Sequence, residues 1–281
     1  MVKIAGILNV TPDSFSDGGK FFAIDAALKQ AEQLISEGAD IIDVGGESTR
    51  PQSSVVPEEE EIKRVVPVIS EIKKRFPKQP VSIDTYKSGV AAAAIDSGAE
   101  IVNDIYGLGF GNGEMADVVA KNNVSVIIMH MKGTPQDMQK DPQYKDVVSE
   151  INRFFKERIK YAKSKGIKKD KIILDPGIGF GKTLKHNLEI LKNLSKFRRM
   201  GFPVMVGPSR KSFIGGLLNV DPVRDTASRS DISNRVDVSN RLEGTIAASI
   251  YSLLNGADYL RVHDVLSVKR AITVFEAIKN V

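Results

Sequence analysis

The chain has no cysteine and no tryptophan in 281 residues. The first absence removes disulfides, thiolate zinc sites and cysteine nucleophiles together. It fits a reducing compartment, so the expected location is the cytoplasm. The second removes one of the aromatic side chains on which unpaired bases stack. Long apolar runs are also missing. None approaches the roughly 20 residues needed to span a bilayer, and "MVKIAGILNV" lacks the apolar stretch and small-residue cleavage site of a secretory leader. Neither a membrane partner nor a signal peptide is expected. Charge of one sign does not dominate: 40 Lys and Arg stand against 35 Asp and Glu, a net +5. The basic clusters "KKRFPK" and "KSKGIKKDK" fall where helices end, where lysine complements the helix dipole and stays hydrated. Nucleic acid is therefore not an expected partner, while a modest positive balance suits a small anionic substrate.

What is present is alternation. Short β-branched apolar runs recur at 3–10, 40–46, 81–85, 100–105, 124–130, 171–176, 203–209 and 259–264. Amphipathic stretches such as "IDAALKQAEQLISEG" fill the gaps, and "SEGAD", "DSGAE" and "LNGAD" end three of them with a C-cap glycine. Strands alternating with helices make a parallel sheet with right-handed crossovers. Eight such units predict one α/β domain over 1–281, a (β/α)8 TIM barrel with a last helix at about 267–279. The polar segment "NVDPVRDTASRSDISNRVDVSNR" at 219–241 breaks the rhythm and is expected to be a mobile insertion before the seventh helix.

In such a barrel, chemistry collects where strands end. Those ends carry Asn9, Glu47, Asp84, Asn103 with Asp104, His130, Asp175, Ser209 to Lys211, and Arg261 with His263. Helix capping explains single cases, Asp104 and Glu47 first among them, but not the whole rim. Asp84, Asn103 and Asp175 offer acceptors to a heterocycle bearing N–H groups. A carboxylate such as Asp175 can take two parallel hydrogen bonds from an amino group and an adjacent ring N–H. Arg50, Arg210, Lys211, Arg261 and His263 form a cationic set suited to phosphate. The substrate expected from this division has a nitrogen-rich ring at one end and an anion at the other. The loops "NVTPDSFSDGG" and "GGESTRPQSSVVPEEE" have the length and charge of lids that exclude water.

The motifs "GILNVTPDSFSDGG", "DIIDVGGESTRP", "SIDT", "NDI", "ILDPGIGFGKT", "GPSRKSFIG", "RLEGTIAA" and "RVHD" together resemble the dihydropteroate synthases, nearly end to end and in that family's order. The resemblance implies a transferase of folate biosynthesis. It joins 6-hydroxymethyl-7,8-dihydropterin diphosphate to 4-aminobenzoate by SN1-like substitution, giving 7,8-dihydropteroate and pyrophosphate. By the same resemblance Asp84, Asn103, Met129, Asp175 and Lys211 surround the pterin, and Asn9, Thr49, Arg50, Arg261 and His263 hold the diphosphate. Mg2+ is implied as the cofactor, at Asn9. The aminobenzoate is expected by Phe15, Thr49, Pro51, Phe180, Lys211 and Ser212, and Asp17, Asp175 and Lys211 are the implied catalytic groups. A homodimer is implied as well. The nearly uncharged helix "GTIAASIYSLLNGA" suits burial against a second subunit, and equally burial inside the barrel shell. Two departures from the family pattern stand out: Gln52, at a position often Gly, and the length of 219–241.

Three other readings compete. A methyltetrahydrofolate:corrinoid methyltransferase-like barrel shares the pterin acceptors but has no use for the cations of "SRKS" and "RVH". A non-catalytic pterin-binding protein is expected to have lost lid or phosphate residues, and these are intact. Finally, "GFGKT" ends like a nucleotide-binding P-loop, but Pro176 stands where that motif needs glycine, and the loop follows the sixth strand. Lys182 and Thr183 are instead expected to open the sixth helix.

Overall fold

The computed structural model describes residues 2–11, 20–48, 53–218 and 238–281. Its strands are β1 Lys3–Asn9, β2 Ile41–Gly45, β3 Val81–Asp84, β4 Ile101–Asp104, β5 Ser125–Met129, β6 Ile172–Asp175, β7 Met205–Val206 and β8 Tyr259–Val262. The helices are α1 Lys20–Ser36, α2 Glu58–Arg75, α3 Ser88–Asp96, α4 Glu114–Asn122 and α5 Val147–Ser164, then α6 Leu184–Lys192, α7 Leu194–Arg198, α8 Ser212–Leu218, α9 Leu242–Leu254 and α10 Val265–Lys279. Neighbouring strands pair in parallel in the order β6-β5-β4-β3-β2-β1-β8-β7. The ring closes between β6 and β7 through one bridge, Leu174 to Val204, with the Leu174 amide donating to the Pro203 carbonyl at 2.9 Å.

The strands alternate two environments. Outward residues such as Ile42, Val44, Ile83, Val102, Ile128 and Leu174 join helix residues such as Val65, Ile69, Phe155 and Phe197 in one core. Burying each such side chain contributes about 1.5–3 kcal/mol. Inward residues change character along the strand. Ala5, Ile41, Ile101, Ile127, Ile173 and Met205 form an apolar floor. Two residues further along β2, β4 and β6, the same inward face presents Asp43, Asn103 and Asp175. The polar groups at the strand ends therefore stand on a sealed hydrophobic base.

The three expected glycine caps form. After α1, α3 and α9 the amides of Ala39, Ala99 and Ala257 reach back to the carbonyls of Leu34, Ala94 and Ser252, each at 3.0 Å. Other boundaries differ from the sequence expectation. The seventh strand, expected over 203–209, spans Met205–Val206 because Pro203 and Pro208 carry no amide to pair. The sixth unit holds two helices, α6 and α7, and a short α8 precedes α9 in the seventh. The last helix begins at Val265. Of the 219–241 segment, 219–237 lies outside the described residues, and Val238–Arg241 forms a 3-10 turn leading into α9.

Candidate active site

At the barrel centre the Arg261 guanidinium points inward from β8. Its Nε donates to Asp43 Oδ2 and its Nη2 to Asp84 Oδ2, both at 2.6 Å. The Asn103 amide donates to the same Asp43 oxygen at 3.2 Å. Burial lowers an arginine pKa, but here Asp43 and Asp84 outweigh it and raise that of Arg261. Burial raises the Asp84 carboxyl, against the pull of Arg261. Three acceptors here, Asp43 Oδ1, Asp84 Oδ1 and Asn103 Oδ1, are buried with no hydrogen-bond partner among the described residues. Such atoms cost free energy when left alone. They are suited to a ligand that brings N–H donors.

Asp84, Asn103, Met129, Asp175, Lys211 and Arg261 line one pocket, and Phe180 forms part of its wall. Arg261, grouped by charge with the phosphate binders, thus lines the same space as the ring acceptors. Asp175 Oδ1 takes the Gly177 amide at 2.7 Å. Burial pushes its carboxyl up to about 6, although the Gly177 amide, Lys211 and Arg261 pull it down. The Lys211 ammonium lies 4.1 Å from the centre of the Phe180 ring.

The loop between β6 and α6 shows what the P-loop-like motif is. Gly177 and Gly181 have φ of +68° and +64°, and a Cβ on them would lie 2.0 Å from the His130 carbonyl oxygen and 2.1 Å from that of Lys132. The loop therefore rests directly on the backbone that leaves β5. Thr183 caps α6: its Oγ1 accepts the His186 amide, and its own amide donates to His186 Nδ1, both at 3.2 Å. Lys182 departs from the expectation that it simply opens the helix. Its side chain is turned inward and buried, where a nucleotide phosphate has no access.

The rim is more varied. Asn9 ends β1 beside Gly45, where a Cβ would lie 3.6 Å from its Oδ1. His263 Nδ1 is 3.0 Å from Ser209 Oγ, and Ser212 is exposed at the start of α8. Arg210 is drawn away from a phosphate role, because it pairs through Nε and Nη2 with both oxygens of Asp264. Asp104 is structural as expected, accepting the amides of Tyr106 at 2.8 Å and Leu108 at 2.7 Å. Glu47 is structural too. It shares the buried Lys87 ammonium with Glu61 and accepts the Tyr86 hydroxyl at 3.1 Å. Phe15, Asp17, Thr49, Arg50, Pro51 and Gln52 lie outside the described residues.

Among the described residues no group of three or more His, Cys, Asp or Glu is placed to hold a metal. Asn9 still fits Mg2+, a hard cation that favours oxygen donors and takes few protein ligands when substrate phosphates supply the rest. Asp43 was missed from sequence. Its signal was an acid inside an apolar strand, in phase with the inward-facing Ile41.

The class this fold and pocket define is a barrel that binds pterins: the model of the pterin binding enzyme family matches residues 5–263. The dihydropteroate synthase of Clostridium beijerinckii is 48% identical over 276 residues, covering 98% of this chain and 93% of that one. That of Escherichia coli K12 is 44% identical over 274 residues, covering 98% and 90%. The solved structure of Xanthomonas albilineans dihydropteroate synthase with 4-aminobenzoic acid has a TM-score of 0.88 at 40% identity, covering 100% of this chain and 94% of that one. The chain belongs to the dihydropteroate synthases, transferases of folate biosynthesis.

Proposed function

We propose that this pocket carries out the dihydropteroate synthase reaction with the following division of labour. The pterin lies over the barrel centre, with Asp84, Asn103 and Asp175 accepting from its N–H groups, Lys211 donating to its ring and Met129 packing beside it. The observation that carries this is the set of buried, unpartnered acceptor atoms of Asp84 and Asn103 in one pocket with Asp175. The diphosphate lies towards Asn9 and His263 at the strand ends, with Arg261, which also pairs with Asp43 and Asp84, between it and the ring acceptors. The aminobenzoate lies by Phe180, Lys211 and Ser212. Phe15, Asp17, Thr49, Arg50 and Pro51 keep the roles that the family resemblance implies.

The bond between the exocyclic methylene and the diphosphate oxygen breaks, and the electron pair leaves with pyrophosphate. The aminobenzoate nitrogen then forms the new C–N bond, and its proton passes to solvent or the released pyrophosphate. Positive charge developing on the pterin is met by the Asp175 carboxylate, an electrostatic rather than a nucleophilic role. Asn9 would hold Mg2+, which when bound would supply positive charge beside the diphosphate. Turnover of 6-hydroxymethyl-7,8-dihydropterin diphosphate and 4-aminobenzoate, followed by pyrophosphate release, tests the assignment. Pterin binding without pyrophosphate release would overturn it in favour of a binding-only protein.

A homodimer through α9 and α10 is part of the same proposal. The fully buried positions of α9 are Thr245, Ser249 and Ser252. The two serine hydroxyls donate within the helix, to Thr245 O at 2.7 Å and Ala248 O at 2.6 Å. Its outward side carries Tyr251 and Leu254, and α10 adds Leu266, Val274 and Ile278, all exposed. Ile246, Ile250 and Leu253 of α9 pack partly on the core, but the exposed apolar side chains that remain on α9 and α10 suit a second subunit. No helix among the described residues is long and apolar enough to cross a membrane, and the lack of cysteine supports a cytoplasmic location.

A further inference from the structure

Lys182 gives "GFGKT" its likeness to a nucleotide loop, and none of the roles above uses it. Its side chain is only 3% exposed. Among the described residues the ammonium makes no ion pair of salt-bridge length. It donates to the carbonyl oxygens of Phe180 at 2.8 Å and His130 at 3.1 Å, and faces His130 Nδ1 at 3.1 Å. Burial pulls the Lys182 pKa down to about 7, against the nearby Asp175 carboxylate. In its charged form the group has three hydrogens to place, and holding that form out of water is costly unless each finds an acceptor. Here three acceptors converge. The ring nitrogen qualifies because burial, reinforced by the Lys182 charge, keeps the imidazole neutral. Its proton then sits on Nε2.

The three acceptors belong to two segments. Tyr144 Oη, donating to the Gly181 carbonyl at 2.9 Å, and Gln139 Nε2, donating to the Gly179 carbonyl at 2.5 Å, also tie these together, further from Phe180 O than the ammonium. His130 follows the end of β5, and Phe180 lies in the β6–α6 loop. The ammonium joins them where Gly177 and Gly181 let backbone rest on backbone. Between those two glycines stands Phe180, whose ring walls the pocket and meets Lys211. A lysine that merely opened a helix would keep its head in water, and one that gripped a nucleotide would point out of the loop. Lys182 does neither.

We propose that Lys182 is a positioning residue for the arylamine acceptor: by holding the Phe180 and His130 carbonyls, it fixes the Phe180 ring where the aminobenzoate ring packs. The inference rests on the assignment of Phe180 to the aminobenzoate side. It predicts that the acceptor half of the site depends on Lys182, while the pterin half, anchored on the strands, does not.

The test is a double-mutant cycle in steady-state kinetics with Lys182→Met, Phe180→Leu and the double variant. Lys182→Met is expected to raise the KM for 4-aminobenzoate about tenfold and leave the KM for the dihydropterin diphosphate within twofold. Added to Phe180→Leu, it is expected to change the aminobenzoate KM by less than twofold, because the ring it positions is gone. Lys182→Gln, which keeps one amide donor, is expected to fall between wild type and Lys182→Met, and carries the same test if Lys182→Met does not fold. Additive effects in the cycle, a parallel rise in both KM values, or an unchanged aminobenzoate KM overturns the inference. A raised KM in Phe180→Leu with silent Lys182 variants overturns it alone. An unchanged KM in Phe180→Leu overturns the Phe180 assignment beneath it.

Discussion

The Arg261 guanidinium joins Asp43 on β2 to Asp84 on β3, 2.6 Å from an oxygen of each. One cation thus serves two buried carboxylates at the centre of the barrel, and one of the two, Asp84, lines the pocket there. Arginine keeps its charge at any working pH, so the arrangement does not depend on its titration.

Arg261→Met leaves both carboxylates buried without their cation. Breaking a buried pair in this way costs about 3–5 kcal/mol, and a loss of that size is expected in urea unfolding. Asp43→Asn in the same chain removes one of the stranded charges and is expected to recover part of the loss, but not the activity. Simple addition of the two single losses would contradict the shared bridge.

Asp175 sets stability against binding. Its folded carboxyl is raised from 3.8 to about 6, chiefly by burial. The fold therefore favours the protonated form, and that contribution to stability is present below pH 3.8 and lost as pH rises through about 6. Asp175→Asn is expected to be more stable than wild type at pH 8, by up to about 3 kcal/mol for a two-unit shift, with the advantage gone by about pH 4. The same variant is expected to lose pterin affinity, and in wild type that affinity is expected to fall as pH drops through about 6. Melting curves and calorimetry across this range check both signs.

Two glycine substitutions separate contact from strain. Gly177→Ala drives a Cβ to 2.0 Å from the His130 oxygen, whereas Gly166, with φ of +89°, has nothing within 4 Å. Gly166→Ala is expected to cost about 1–2 kcal/mol from backbone strain alone and to leave kcat/KM unchanged. Gly177→Ala is expected to displace the loop and abolish pterin binding. Equal effects on activity would remove the case for a loop seated on β5.

The apolar exterior of α9 and α10 makes a solution prediction. Leu254 is 65% exposed and Ile278 71%. Leu254→Arg with Ile278→Arg is expected to shift the protein from dimer to monomer in sedimentation equilibrium, with the melting temperature of the barrel little changed. A monomeric wild type would sink the proposal.

How legible the site was depends on which interactions are local. Asp84, Asn103 and Asp175 could be found because alternation along a parallel strand and the polar switch at its end are written in consecutive residues. Asp43 stands out as an acid within an apolar strand, but its role could not be read there, since it comes from Arg261, 218 residues away. Arg261 itself was sorted by charge with the phosphate binders; only the β1–β8 register, which pairs Ala5 with Arg261, brings it over the floor beside Asp43. Lys182 was legible as a lysine after glycines but not as a buried one, because its direction depends on His130 in a different unit. The shortness of β7 was legible in principle from its two flanking prolines.

The closure of the barrel has a mechanical consequence. A hoop laced tightly at seven junctions and tacked at the eighth yields first at the tack, and here that is the join of Leu174 to Val204. The segment leaving one side of it carries Asp175 and Phe180, and the segment leaving the other carries Lys211. The give in the hoop is thus placed between these two segments, both of which line the pocket.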